Sequence, residues 1–131
     1  MKRSAPSATP DAVRAARAAA EAIDSKSGQD IALLDLSDLL VVTDVFVIAT
    51  GTSRRHVLAL IDATVEALTL LDRRPIRKEG ADYGEWVLLD YGDVVIHVFD
   101  QPTRDYYELE RLWAGAPRIE FSPISATPDA G

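Results

Sequence analysis

The chain has 131 residues, with 14 Lys plus Arg against 21 Asp plus Glu, 47% hydrophobic residues and no cysteine. That length suits one core, since domains usually hold roughly 100–200 residues, and without cysteine there is neither a disulfide framework nor a thiolate metal site. No apolar run reaches the roughly 18–20 residues that span a bilayer, and the opening alanine-rich stretch lacks the apolar centre of a signal peptide, so a cytoplasmic location is expected.

The formal net charge of −7 is unevenly spread. Residues 79–110 hold nine carboxylates and one base, Arg104, whereas residues 53–78 hold six bases and three acids. Nucleic-acid affinity comes largely from Lys and Arg displacing counterions. The acidic half therefore favours a basic partner or a plain solvated surface over a phosphate backbone.

Residues 1–9 read as a loose arm. Thr9-Pro10-Asp11 is a helix start, with a hydroxyl cap, proline at the first helical position and an acid in the first turn. The helix runs through Val13, Ala16, Ala20 and Ile23 and stops before Ser27-Gly28, and its apolar stripe is thin. Residues 30–36 form a buried-strand pattern. Val45 to Ala49 is a second strand, apolar on both faces and suited to the middle of a covered sheet. After Thr50-Gly51-Thr52, Ser53 caps a long helix to about Leu71 that carries Val57, Ile61, Thr64, Val65 and Leu68 on one side. Pro75 to Gly80 reads as an edge strand.

Next comes a hairpin. Trp86 to Tyr91 and Val94 to Phe99 flank Gly92-Asp93, a loop suited to a primed turn. Its register pairs Tyr91 with Val94, Leu89 with Ile96 and Val87 with Val98 on an apolar face. Asp90 with Val95, Leu88 with His97, and Trp86 with Phe99 occupy the other face. Thr103 is expected to cap a short helix through Trp113, carrying Tyr106 and Leu109 and ended by Gly115. Residues 116–131 read as a mobile tail. These elements make a single α/β domain over residues 10–115, with a mixed sheet flanked by helices.

No catalytic constellation emerges. The Gly51-Thr52-Ser53 turn before a helix, with Arg54 and Arg55 beside it, resembles an anion site but lacks the P-loop spacing. The Asp-x-Asp or Asp-x-Glu pair that a nucleotidyltransferase needs for magnesium is missing. There is no Gly-x-Ser-x-Gly elbow, and two histidines without cysteine leave a zinc site to scattered carboxylates. His97 beside Leu88 and Trp86 reads as packed. No cofactor or metal is expected. Trp86, after the acidic and aromatic loop Asp82-Tyr83-Gly84-Glu85, has two open readings. It is an interface anchor or it is covered by a helix of its own domain.

Three stretches carry a resemblance. Thr43-Asp44-Val45-Phe46-Val47-Ile48-Ala49-Thr50-Gly51-Thr52-Ser53-Arg54-Arg55-His56-Val57 is similar to the first signature of the ribosomal silencing factor family, also called Iojap. Glu79-Gly80 with Gly84-Glu85-Trp86-Val87-Leu88-Leu89-Asp90-Tyr91-Gly92-Asp93-Val94-Val95-Ile96-His97-Val98-Phe99 resembles the second, and Arg104-Asp105-Tyr106-Tyr107-Glu108-Leu109-Glu110-Arg111-Leu112-Trp113 the third. The resemblance implies a fold related to nucleotidyltransferases without their metal ligands, and no enzymatic activity. It further implies binding to the large ribosomal subunit through its protein number fourteen, a block on joining of the small subunit, repression of translation when nutrients are short, and homodimers. The implied contact surface contains Trp86, Leu88, Asp90 and Tyr91, with Glu85 and Asp93 among the surrounding acids. The hairpin register sets Tyr91 on the face opposite Trp86, in tension with one shared surface. The alternative is a nucleotide-binding or nucleotidyltransferase-like enzyme using the Gly51-Thr52-Ser53 turn.

Overall fold

A computed structural model describes residues 8–39, 43–107, 111 and 114–121. Helix α1 (Pro10–Ser25) starts as its sequence dictates, the Thr9 hydroxyl accepting the Ala12 N–H at 3.1 Å. Its inner face is almost all alanine: Ala12, Ala15, Ala16, Ala19, Ala20 and Ile23 are fully buried. Small side chains let the helix axis lie close to its neighbours, so a thin stripe is enough. The helix ends in a Schellman motif, with Ser27 rather than Gly28 in the left-handed conformation (φ 66°) and the Gly28 N–H donating to the Ile23 carbonyl.

The strands are β1 (Gln29–Asp35), β2 (Val45–Gly51), β3 (Arg77–Glu79), β4 (Trp86–Asp90) and β5 (Val94–Asp100). They form one five-stranded sheet in the order β1-β2-β5-β4-β3. The β2–β5 pair is parallel and the other three pairs are antiparallel. The return needed for a parallel pair is made by helix α2 (Arg54–Thr69), capped by the Ser53 hydroxyl as expected. Helices α1 and α2 pack on each other and on one face of the sheet. That face is the main core, built from Leu33, Val45, Val47, Ala49, Val87, Leu89, Ile96 and Val98. The opposite face carries a smaller cluster of Leu34, Leu36, Ile48, Phe99 and Ala116, joined by Phe46 and Trp86.

The hairpin register is the expected one: Leu89 opposite Ile96, Val87 opposite Val98, Leu88 opposite His97 and Trp86 opposite Phe99. Pro75 to Gly80 does hold an edge strand, though only three residues pair.

Two expectations need correction. Helix α3 (Gln101–Tyr107) begins before Thr103, because the Asp100 carboxylate, not the Thr103 hydroxyl, caps it by accepting the Thr103 N–H at 2.9 Å. Leu109 and Trp113, expected to continue that helix, lie outside the described residues. Residues 116–121, expected as the start of a tail, run along the outer edge of β1, with Asp35 N–H donating to the Pro117 carbonyl and Ile119 N–H to the Leu33 carbonyl. Ile119 is thereby buried in the main core. An edge strand offers a row of unpaired backbone groups, and this segment satisfies part of it.

Candidate functional site

Alternation along β4 puts Trp86, Leu88 and Asp90 on the face away from α1 and α2, all three half-buried. Behind them stand Phe99, His97 and Val95 of β5, and β3 flanks them with Glu79 opposite Leu88 and Arg77 opposite Asp90. A shallow cavity of about 320 Å³ is lined by Glu79, Gly80, Trp86 and Leu88.

Each of the three side chains is held. The Trp86 ring stacks on Phe99 with centroids 4.9 Å apart and planes 29° apart. Its indole N–H donates to His97 Nδ1 at 3.1 Å. The Asp90 carboxylate accepts the Gly92 N–H at 2.8 Å and an Arg77 N–H at 2.9 Å. The Gly92 bond, with Arg77 behind it, holds the Asp90 carboxyl below the usual carboxylate range despite partial burial. It is therefore an ionised carboxylate beside Leu88, fixed in place and paired with Arg77.

The loop leading into β4 is clamped from α2. Arg54 donates to the carbonyls of Asp82 and Tyr83 at 2.6 and 3.0 Å. Tyr83 itself is 77% exposed. Gly84, at φ 71°, sits so close to Arg54 that a Cβ would overlap the arginine stem. Glu85 is exposed, and its carbonyl accepts the Asp100 N–H at 2.9 Å.

Two expected members of the contact surface lie elsewhere. Tyr91 is only 7% exposed and belongs to the main core under the helices. The period of two along the strand forces this: a residue one step beyond Asp90 points the other way. Its hydroxyl is buried without a hydrogen-bond partner among the described residues, and burial pushes its pKa up. Asp93, at the turn, makes a two-bond ion pair with Arg73 at 2.8 and 3.1 Å. That salt bridge ties the hairpin tip to the segment after α2.

His97 is the residue whose part the sequence concealed. Its ring is buried, with Phe46 edge-on at 4.5 Å, and desolvation lowers its pKa to about 4. The register placed it opposite Leu88, but nothing in the sequence showed the bond to Trp86. The Arg77–Asp90 pair was hidden too, because the six-residue link between β3 and β4 leaves their register open.

The Gly51-Thr52-Ser53 turn uses its polar groups internally. Thr52 N–H donates to His56 Nδ1 at 2.8 Å, and the Ser53 hydroxyl accepts the His56 N–H at 3.1 Å. Among the described residues no group of three or more His, Asp or Glu is placed to hold a metal ion. Nor is any helix among them long and apolar enough to cross a membrane.

Comparisons with known proteins agree on one family. The family model described as "Ribosomal silencing factor during starvation" matches residues 9–131. The ribosomal silencing factor of Bacillus subtilis is 40% identical over 103 residues, covering 79% of this chain and 87% of that protein. A Mus musculus protein named for mitochondrial assembly of the ribosomal large subunit is 36% identical over 91 residues, covering 67% of this chain and 40% of that longer protein. A crystal structure of a Chromobacterium violaceum protein superposes with a TM-score of 0.76 at 36% identity, covering 88% of this chain and 97% of that one. The chain belongs to the family of ribosomal silencing factors, regulatory proteins rather than enzymes.

Proposed function

We propose that this chain binds the large ribosomal subunit through its protein number fourteen, blocks association with the small subunit, and so represses translation under nutrient limitation in the cytoplasm. The observation that carries the reading is the triplet Trp86, Leu88 and Asp90 on one face of β4, an aromatic anchor, an aliphatic neighbour and a carboxylate locked in place by Arg77 and the Gly92 N–H. Such a strip has the composition of an interface centre, where aromatic side chains carry much of the energy. Asp82 and Glu85, both exposed around it, supply a negative rim suited to a basic ribosomal protein. Blocking a joint between subunits then requires bulk at the contact and no chemistry. We take Trp86, Leu88, Asp90 and Glu85 as the contact residues, and a homodimer as the free form. Tyr91 and Asp93 support the face from behind and from the tip.

Sedimentation tests the reading. Purified protein added to separated subunits is expected to reduce the peak of joined ribosomes in proportion to its occupancy of the large subunit. An unchanged peak at saturating protein would refute it.

A further inference from the structure

We propose that His97 is a positioning residue of the partner-binding face, its Nδ1 holding the Trp86 indole in the orientation in which that ring meets the ribosomal partner. The proposal rests on the reading of the β4 face as the contact surface.

An indole N–H only donates, so the 3.1 Å contact makes His97 Nδ1 the acceptor and puts the imidazole proton on Nε2. That Nε2–H is buried and finds no hydrogen-bond partner among the described residues. The site is otherwise apolar: His97 stands between Ile48 of β2 and Leu88 of β4, with Phe46 edge-on against its ring. By packing alone a phenylalanine would be better here, since it fills similar space without an orphaned donor. A residue that breaks the local pattern and leaves a buried group unpaired points to a role outside folding. Among the described residues, the one polar contact the imidazole makes is with Trp86.

The effect on binding follows from order. A half-buried tryptophan at the start of a strand has several rotamers, and immobilising such a side chain opposes association. Stacking on Phe99 fixes the plane of the indole, and the N–H bond fixes its direction within that plane. The partner then meets an anchor already set.

The test is a double-mutant cycle of wild type, His97→Phe, Trp86→Phe and the double variant. Each full-length protein is titrated with isolated large subunits and melted in parallel. His97→Phe is expected to hold or raise the melting temperature while weakening binding about 3–10-fold, the cost of ordering one side chain. In the Trp86→Phe background, which has no indole N–H, the same change should alter binding less than about 2-fold. The unaltered protein gives a second readout. The indole proton that disappears from the NMR spectrum in Trp86→Phe should lie downfield and exchange slowly.

Equal loss in both backgrounds, or loss of binding that tracks loss of stability, would overturn the proposal in favour of a packing role. So would a freely exchanging Trp86 indole proton. Normal binding by His97→Phe beside weakened binding by Trp86→Phe would overturn the positioning role and leave the contact surface standing. Normal binding by both folded single variants would remove the surface and the proposal together.

Discussion

His97 spends its life uncharged, because burial holds its pKa near 4, against the ordinary 6.5. The consequence for stability has a definite sign. As pH falls below 6.5 the unfolded chain takes up the proton while the folded chain does not, so stability is lost until the folded pKa is reached. A shift of that size corresponds to roughly 3 kcal/mol lost between about pH 6.5 and pH 4. Asp90 acts in a lower window, since its depressed carboxyl loses its contribution only as pH falls through the ordinary value of 3.8 and below. Melting temperatures of wild type and His97→Phe should therefore diverge on acidification from pH 7 to pH 4, with the variant the flatter of the two. Parallel curves would show that His97 is not the group responsible.

At the scale of elements, local chemistry was legible where it acts within a few residues. Thr9 and Ser53 cap their helices as their types require, and the two-residue Gly92-Asp93 loop fixed the hairpin register and hence which residues share a face. What could not be read depends on partners distant in sequence. The alanine stripe of α1 gave no sign of how completely it is buried, and the pairing of residues 116–121 with β1 has no local signal. The cap of α3 is ambiguous in the sequence because Asp100 and Thr103 are both capping types, three residues apart, and only the geometry chooses Asp100. The link between β3 and β4 makes a sharp demand of its own. Gly80 has φ 84°, and a Cβ there would overlap the Trp86 carbonyl oxygen. Gly80→Ala should cost at least about 1–2 kcal/mol from the backbone conformation alone. It should also part β3 from β4 beside Trp86, lowering both the melting temperature and ribosome binding. A variant as stable as wild type would contradict this account of the loop.

For the whole molecule, a mixed α/β sheet followed from the order of elements, but the strand order did not. The central β2–β5 pairing, Val45 with Val94 through Gly51 with Asp100, joins residues more than a third of the chain apart, and periodicity carries no information at that range. The site was partly legible for the same reason. Trp86, Leu88 and Asp90 share a face by alternation, whereas the Arg77 and Arg73 partners of Asp90 and Asp93 depend on tertiary placement. Those pairs also revise the charge argument. Among the described residues, Glu79 and Asp90 pair with Arg77 and Asp93 pairs with Arg73, both bases coming from the segment just before, so the field toward a partner comes chiefly from the other acids.

Two readings of Trp86 stood open in the sequence, interface anchor or core residue, and its half-buried position beside exposed acids favours the first. The most direct measurement is a binding isotherm of Trp86→Ala with the large ribosomal subunit, paired with its melting curve, against Val98→Ala as the fully buried control. Trp86→Ala should lose about 2–4 kcal/mol of binding while losing clearly less stability than the roughly 3–5 kcal/mol of a truncated core aromatic. Val98→Ala should destabilise by roughly 1.5–3 kcal/mol and bind normally while folded. A folded Trp86→Ala protein that binds the large subunit as well as wild type would contradict the assignment of the β4 face.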